Sequence, residues 1–264
     1  MKERGDWIMG YVVKTDTGKV RLNNEDNGEI LTNKSGIYLA IVADGMGGHN
    51  AGDIASEMAV NVLKEYWEKS FPVGGIDAAI AEKWLRDTIA DVNIKLYEHS
   101  RTDSNLDGMG TTLVAAVCTN DFITIANIGD SRGYLLNENG FQQLTEDHTL
   151  VNALVKTGQI SKEDAQHHPR KNLILKALGT EEIVEVDIKT ILVDNGDCLL
   201  LCSDGLYDKL TDTEIKEMIC KDGLTMEEKA QTMIDLANEN GGEDNITIVL
   251  LDFPLPDESG CNKC

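Results

Sequence analysis

Short apolar runs recur along the chain, many of them alternating or rich in β-branched residues, and they predict strands. The alternation is clearest in Phe122-Ile-Thr-Ile-Ala and Val184-Glu-Val-Asp-Ile. The predicted strands are 8–15, 37–43, 111–118, 122–128, 132–136, 185–193, 198–202 and 245–252. Asn137-Glu-Asn-Gly140 suits a hairpin connection.

A second pattern, with apolar residues three or four positions apart, predicts helices. Its positions are Ile54, Met58, Val62 and Tyr66 in one segment and, more loosely, Ile80, Trp84, Ile89, Val92 and Leu96 in the next. Two further helices are predicted at about 213–220 and 226–239. Because strands come in consecutive runs and helices in pairs, the pattern indicates an α+β fold of antiparallel sheets flanked by helices.

The chain is expected to form one domain, because its 264 residues contain only four prolines and no linker or repeat. Residues 145–180 fit neither pattern well and predict an inserted flap. We expect residues 1–13 to be an N-terminal extension, 14–253 the domain and 254–264 a tail.

Charge excludes two classes of partner. With 46 acidic and 24 basic residues the formal net charge is −22, so no basic field attracts nucleic acid or an anionic membrane. Most of the acids are expected to form a solvated surface. The longest apolar run, 246–251, is too short to span a bilayer, and MKERGDWIMG lacks the apolar core of a signal peptide. We expect a cytoplasmic protein.

Six cysteines are present. Cys118, Cys198 and Cys202 lie in apolar, strand-like runs and are expected to be reduced core residues. Cys261 and Cys264 could form half of a zinc site, but no second pair completes it, and a frayed tail is expected there instead.

Three aspartates lie where predicted strands begin or end. Asp44 and Asp204 each follow an apolar run and precede a glycine, and Asp244 comes directly before another run. A lone Asp-Gly usually marks a hairpin turn, yet polar, helix-forming sequence follows both pairs. In an antiparallel sheet these ends meet at one edge. Carboxylates gathered there repel one another unless a cation intervenes, and oxygen ligands favour Mg²⁺ or Mn²⁺.

Two more segments extend this cluster. Arg21 lies shortly before the acidic pair Glu25-Asp26, and Asp130 follows another apolar run. An arginine beside a metal–carboxylate site suits a phosphate, because its planar fork donates two hydrogen bonds at once. A surface ion pair with Glu25 or Asp26 remains an equal alternative for Arg21.

The chain resembles the metal-dependent protein serine/threonine phosphatases of the type 2C, or PPM, family, and among them the short bacterial members. The resemblance runs from about residue 15 to 251. It is carried by seven segments in the family's order: RLNNED, VADGMGGHNAGDIAS, GTTLVAA, NIGDSRGYLL, LTEDHT, LLLCSDGLYD and GGEDNITIVL.

The resemblance implies a four-layer α-β-β-α sandwich with a dinuclear metal centre at one edge, between the two antiparallel sheets. It implies two Mn²⁺ or Mg²⁺ ions and a weaker third. The implied ligands of the two metals are Asp44, which bridges them, the Gly45 carbonyl, Asp204 and Asp244. Glu25 and Asp26 would act on these metals directly or through water. Asp130 and Asp204 would hold the third ion. Arg21 would bind the substrate phosphate, and Asn245 would orient Asp244.

The implied reaction is hydrolysis of phosphoserine and phosphothreonine in proteins, by in-line attack of a metal-bridging hydroxide and without a phosphoenzyme. A partner Ser/Thr kinase sharing the substrates and a monomeric state are expected. The animal enzymes have a histidine directly after the Asp-Gly pair, a candidate general acid, and this chain has Met46 there. The sequence gives no reason to place His49 in the site. His148 is expected to anchor the flap. His167, His168 and Arg170 either touch substrate or form a solvated loop.

Three alternatives remain to be weighed. A pseudophosphatase would lack a metal aspartate, and none is lost here. A calcium-stabilised structural domain would need a compact loop of ligands, which the sequence does not contain. Related proteins act on regulators of sigma factors, but those usually carry sensor or membrane domains.

Overall fold

The computed structural model describes residues 9–48, 51–72 and 75–253. Ile8, His49, Cys261 and Cys264 lie outside these ranges. The strands are β1 Gly10–Asp16, β2 Asp26–Thr32, β3 Tyr38–Met46, β4 Gly110–Thr111, β5 Leu113–Cys118, β6 Phe122–Ile128, β7 Arg132–Asn137, β8 Gly140–Gln143, β9 Asp187–Leu192, β10 Cys198–Cys202 and β11 Ile246–Asp252. The helices are α1 Ala51–Ser70, α2 Ala78–Ser100, α3 Leu150–Lys156, α4 Lys162–Gln166, α5 Asp204–Tyr207, α6 Asp212–Ile219 and α7 Met226–Glu239.

These strands form two antiparallel sheets. One has the order β1-β11-β10-β7-β8, and the other has the order β2-β3-β5-β6-β9, with β4 paired to the end of β3. The β7–β8 hairpin turns at Asn137–Gly140, which confirms the connection predicted there. No helix in the described ranges is long and apolar enough to cross a membrane.

Three apolar layers hold four layers of secondary structure together. Along β3, Leu39, Ile41 and Ala43 pack towards α1 and α2, whereas Ala40 and Val42 pack between the two sheets. The other sheet packs its second face on α5, α6 and α7. Because β3 is buried on both faces, its sequence is a continuous apolar run with no alternation. The predicted α-β-β-α sandwich is confirmed.

Sequence patterns locate most strands but miss β8, which follows the predicted hairpin connection, and also miss β2. Its sequence, DNGEILT, contains weak strand formers and has only two fully buried positions. Pairing with β3 determines its structure instead. The apolar run at 111–118 is split into β4 and β5 at Thr112.

Two boundaries differ from expectation. Residues 10–13, assigned above to an N-terminal extension, belong to β1 and pair with β11, so a boundary at residue 14 cuts through this strand. Asp44 does not end its strand, since Gly45 and Met46 continue β3 by pairing with β4. The segment expected to form a flap contains α3 and α4, between β8 and β9.

Candidate active site

The predicted aspartates meet where the two sheets face each other. Asp26 and Asp44 lie on β2 and β3 of one sheet, and Asp204 and Asp244 lie beside β10 and β11 of the other. They therefore come from the facing ends of two sheets, not from one edge of a single sheet as the strand ends suggested. With Asp130, which precedes β7, these five residues are called the carboxylate edge below.

Asp26 and Asp44 are cross-strand partners in the β2–β3 ladder. The side chain of Asp26 is buried, and its Oδ2 accepts a 2.6 Å hydrogen bond from Ser203 Oγ. Its other oxygen, Oδ1, is buried without a hydrogen-bond partner among the described residues. An unpaired buried carboxylate oxygen is costly, so this atom is suited to a cation.

The glycine of each Asp-Gly pair is required by the backbone that packs against it. A Cβ on Gly45 would lie 2.0 Å from the Gly52 carbonyl oxygen and 2.7 Å from that of Glu25. A Cβ on Gly205 would lie 2.0 Å from the Asn245 carbonyl oxygen. These contacts explain why Asp44 and Asp204 are each followed by glycine, since no side chain fits between the crossing segments.

The environment of the carboxylate edge opposes ionisation. Burial and the neighbouring carboxylates, Asp26 first, raise the pKa of Asp44 well above its ordinary value. Burial and the charge of Asp130 raise the pKa of Asp204 in the same way. Burial also raises the pKa of Asp26 and of Asp130 to about 6. A metal cation bound among the carboxylates would lower these pKa values again.

The donor set fits divalent cations that retain water. Among the described residues, no three Asp, Glu, His or Cys side chains are grouped so as to hold an ion by themselves. Magnesium usually keeps several waters and takes one or two carboxylates from the protein. The unpaired Asp26 Oδ1 and the mutually repelling Asp44 and Asp204 match that requirement.

Arg21 lies at the rim of the carboxylate edge. Its Nη2 donates a 2.8 Å hydrogen bond to Asp244 Oδ2, and half of its side chain is exposed. The guanidinium therefore pairs with Asp244 and not with Glu25 or Asp26. Because the pair is exposed, it holds Arg21 only weakly, and the fork is free to reach a phosphate.

Asn245 anchors the loop that carries Arg21. Its side-chain amide donates to the carbonyls of Thr17 and Asn23 at 2.9 and 3.0 Å, and its Oδ1 accepts from Glu25 N at 2.8 Å. Contact with Asp244 is made only by the backbone N–H of Asn245, which donates to Asp244 Oδ1 at 2.9 Å. Sequence reasoning placed Asn245 near the site but missed this loop contact.

Hydroxyl side chains fix the backbone around Asp44. Thr112 Oγ1 accepts from the Asp44 N–H at 3.0 Å, and Thr111 Oγ1 donates to the Asp44 carbonyl at 2.9 Å. Ser131 Oγ lies 2.7 Å from Thr112 Oγ1. Sequence reasoning gave these residues and Ser203 no role, although GTTLVAA and LLLCSDGLYD contain three of them.

A second charged group adjoins the carboxylate edge and is called the Arg132 cluster: Arg132, Tyr134, Asp147 and Tyr207. Arg132 donates to both carboxylate oxygens of Asp147, the shortest bond being 2.6 Å, and to Tyr134 Oη at 3.0 Å. Its guanidinium carbon lies 3.5 Å from the centroid of the Tyr207 ring. Tyr207 Oη in turn donates to the Asp130 carbonyl at 3.0 Å.

His148 fastens the start of the flap to the loop before Asp130. Its N–H donates to the Gly129 carbonyl at 2.9 Å, and its Nδ1 accepts from the Gly129 N–H at 3.1 Å. His148 thus has the contacts expected of a flap anchor. His167 and Arg170 lie exposed on the flap loop, and Lys171 pairs with Asp208 at 2.6 Å.

A cleft of about 570 Å³ runs from the carboxylate edge to the flap. Asp130 and Asp204 line one end, and Lys162 and Lys171 line the flap side. The cleft thus joins the carboxylates to the flap, and loops of this kind usually determine which partner binds.

The two-sheet sandwich with carboxylates at its facing ends agrees with the family comparison. The family model described as protein phosphatase 2C matches residues 18–247. The chain belongs to the protein phosphatase 2C family.

Known relatives cover nearly the whole chain. The chain is 50% identical over 242 residues to the serine/threonine phosphatase stp of Listeria monocytogenes, covering 92% of this chain and 95% of the relative. It is similar to the crystal structure of serine/threonine phosphatase Stp1 from Staphylococcus aureus, with a TM-score of 0.86 and 38% identity over 96% of this chain and 99% of that one. It also resembles the catalytic domain of PstP in complex with two manganese ions, with a TM-score of 0.80 and 34% identity over 94% and 99% of the two chains.

Proposed function

We propose that this protein is a metal-dependent phosphatase that hydrolyses phosphoserine and phosphothreonine in proteins. The observation that carries the proposal is the carboxylate edge, where aspartates from five segments face one another with Arg21 beside them. Such a cluster is unfavourable without cations and is well suited to hold them. The manganese bound to the related PstP catalytic domain supports the same interpretation.

Each member of the edge has a proposed role. Asp44 would bridge two Mn²⁺ or Mg²⁺ ions, with the Gly45 carbonyl, Asp204 and Asp244 completing the protein ligands. Glu25 and Asp26 would act directly or through water, and Asp130 with Asp204 would hold a weaker third ion. When bound, these cations would activate water as the nucleophile and neutralise the phosphate.

Arg21 would orient the substrate. A dianionic phosphate can replace Asp244 as the partner of the exposed guanidinium, because the existing pair is solvent-screened. The fork then holds two phosphate oxygens and fixes the phosphorus for in-line attack.

The reaction would proceed without a covalent intermediate, and the hydroxyl and thiol that directly precede Asp204 are unsuited to attack. Ser203 is fully buried, and its hydroxyl is occupied by Asp26 and the Thr247 N–H. Cys202 is also fully buried, and burial raises the pKa of its thiol well above the ordinary value. Neither side chain can reach a phosphoester in solvent.

The substrate protein would lie along the cleft, with the phosphorylated residue at the carboxylate edge and its neighbours beneath the flap. Lys162 and the exposed His167 and Arg170 would then contact flanking residues. We further propose a monomeric, cytoplasmic protein in bacterial signalling that shares its substrates with a Ser/Thr kinase. We place the catalytic domain at 14–253, with the start of β1 attached to it.

The test is hydrolysis of a phosphothreonine peptide and of p-nitrophenyl phosphate by wild type and Asp44→Asn, with Mn²⁺, Mg²⁺ or a chelator. Wild type should turn over both substrates only with metal. In the variant, turnover should fall at least roughly 100-fold, because changing even a residue that supports a metal ligand lowers activity by up to about that factor.

Asp197→Asn is the matched control, because Asp197 is buried and lies at the far end of β10 from Asp204. It should retain wild-type turnover. Folded wild type that is inactive with every metal would overturn the proposal in favour of a binding protein with this fold. Activity that survives in Asp44→Asn would overturn the role of Asp44.

A further inference from the structure

The carboxylate of Asp130 is placed by its backbone. It makes no hydrogen bond to another residue that the structure describes, although it is buried beside Asp204. The backbone around it is held from two sides. His148 brackets Gly129 through both of its main-chain groups, and Tyr207 Oη donates to the Asp130 carbonyl at 3.0 Å.

Tyr207 also shares a rigid element with Asp204. Both belong to the single turn of α5, Asp204–Tyr207. The bond from Tyr207 to Asp130 therefore ties the two carboxylates together through one turn of helix and one hydrogen bond. Because the bond reaches the Asp130 carbonyl, we expect a displacement of the Tyr207 ring to change the separation of Asp130 and Asp204.

The ring itself is held by the Arg132 cluster. The Arg132 guanidinium stacks 3.5 Å above the ring centroid, and three hydrogen bonds to Asp147 hold it in place. Stacking on an aromatic face and bidentate pairing both favour arginine over lysine at this position. Asp147 lies at the start of the flap, so the flap base and the carboxylate edge are mechanically connected.

We propose that Tyr207 is a positioning residue that sets the spacing of Asp130 and Asp204, and thereby the affinity of the weaker cation site. The inference rests on the proposed function, which assigns that site to these two aspartates. Arg132 and Asp147 act one step further away by holding the Tyr207 ring.

Tyr207→Phe tests the proposal, because it keeps the ring and its stacking on Arg132 but removes the hydrogen bond to Asp130. In metal-free protein, amide hydrogen exchange over residues 127–132 should become faster. In Mn²⁺ titrations by calorimetry, the weak-site Kd should rise roughly 3- to 10-fold, the range expected from losing one hydrogen bond. The affinity of the tighter sites should not change.

Tyr134→Phe is the control. It removes the hydrogen bond from Arg132 to Tyr134 but leaves the three bonds from Arg132 to Asp147 and the bond from Tyr207 to the Asp130 carbonyl. It should leave the weak-site Kd within about twofold of wild type, as expected for a change that loses no contact to the site. Arg132→Lys, which loses the planar stacking, should shift the weak site in the same direction as Tyr207→Phe.

The proposal is overturned if Tyr207→Phe leaves both the weak-site Kd and the exchange of residues 127–132 unchanged, or if Tyr134→Phe alters them equally. Wild-type protein that binds no weak cation overturns it as well. Turnover of the phosphothreonine peptide by wild type reports separately on the proposed function, so the two failures are distinguishable.

Discussion

The carboxylate edge and the Arg132 cluster are adjacent, and both contain buried charge, but only one of them is compensated. In the Arg132 cluster, the Arg132 guanidinium contacts the carboxylate of Asp147, the hydroxyl of Tyr134 and the ring of Tyr207. In the carboxylate edge, Asp26, Asp44, Asp130 and Asp204 face one another, and the hydrogen bond from Arg21 goes to Asp244 at the rim. The charges of the first cluster are balanced by the protein itself, whereas those of the second would be balanced only by the metal ions of the proposed function.

This difference separates structural from functional charge. A buried charge with a partner contributes to a unique structure. A group of like charges without partners costs folding free energy, and its presence indicates a ligand that the chain does not supply. The unpaired Asp26 Oδ1 makes the same point for a single atom.

The most severe way to disturb the carboxylate edge is to separate the backbone segments beneath it. Gly45→Ala places a Cβ 2.0 Å from the Gly52 carbonyl oxygen, so β3 and the start of α1 must move apart. Displacing catalytic groups by about 1 Å costs roughly 100-fold in rate, and overpacking costs about 1–3 kcal/mol of stability. Steady-state kinetics and thermal unfolding measure the two effects.

Gly75→Ala controls for the loss of glycine itself, because Gly75 has open space around its Cβ position and no left-handed φ. That variant should match wild type in both measurements. A fully active Gly45→Ala protein would show that the edge tolerates backbone movement, contrary to the close contacts.

Removing a carboxylate should destabilise the Arg132 cluster, whereas in the carboxylate edge it should stabilise the metal-free protein. Asp147→Asn leaves Arg132 mostly buried without its anion, and breaking a buried pair in this way costs about 3 kcal/mol. The loss should appear in urea unfolding both with and without Mn²⁺. Glu65→Gln, which removes an exposed pair with Lys69, should leave the unfolding midpoint unchanged. A stabilised Asp147→Asn protein would contradict the assignment of this cluster as compensated.

In the carboxylate edge, removing a charge should stabilise the metal-free protein. Burial raises the pKa of Asp26 to about 6. At pH 7.5 its carboxylate is therefore ionised although burial disfavours the charge, and this lowers the free energy of unfolding. Asp26→Asn should add about 3 kcal/mol to the free energy of unfolding in chelator, because each tenfold change in an acid's ionisation constant corresponds to about 1.4 kcal/mol. The same variant should gain less than wild type on adding Mn²⁺. Destabilisation in chelator would show that the Asp26 charge is already compensated.

How far the sequence predicts this molecule depends on which interactions determine each part. The strands β3, β10 and β11 are long apolar runs, and α7 has strong periodicity with a capping box at Thr225 and Glu228. Local pattern was sufficient for these elements. The strand β2 was missed because its pairing with β3, and not its composition, makes it a strand.

The candidate site divides in the same way. Asp44, Asp204 and Asp244 were predicted because each adjoins an apolar run, and the glycines drew attention to two of them. Ser203, Thr112 and Tyr207 could not be assigned a role, since their partners lie on other segments, as far as 177 residues away for Ser203 and Asp26. Only the three-dimensional arrangement shows that Tyr207 reaches Asp130.

The last expected effect is the pH dependence of the metal-free protein. Asp26 and Asp130 have pKa values raised to about 6 in the folded protein, above the ordinary value near 3.9 in the unfolded chain. Between pH 5 and 7.5 the folded state therefore binds more protons than the unfolded state, so stability falls as the pH rises. Each of these two residues is expected to contribute a loss of about 1.4 kcal/mol over this range.

Urea unfolding in chelator at several pH values measures this slope. The exposed Glu214, Glu228 and Glu243 have lowered pKa values because of their hydrogen bonds, so their contribution is lost only below this window. Asp26→Asn should reduce the slope. Mn²⁺ should reverse it, because the ions bind the deprotonated carboxylates and stabilise the fold more as the pH rises. A slope that is the same with Mn²⁺ and with chelator would mean that cations do not occupy the carboxylate edge, and the contrast with the Arg132 cluster would then lose its functional meaning.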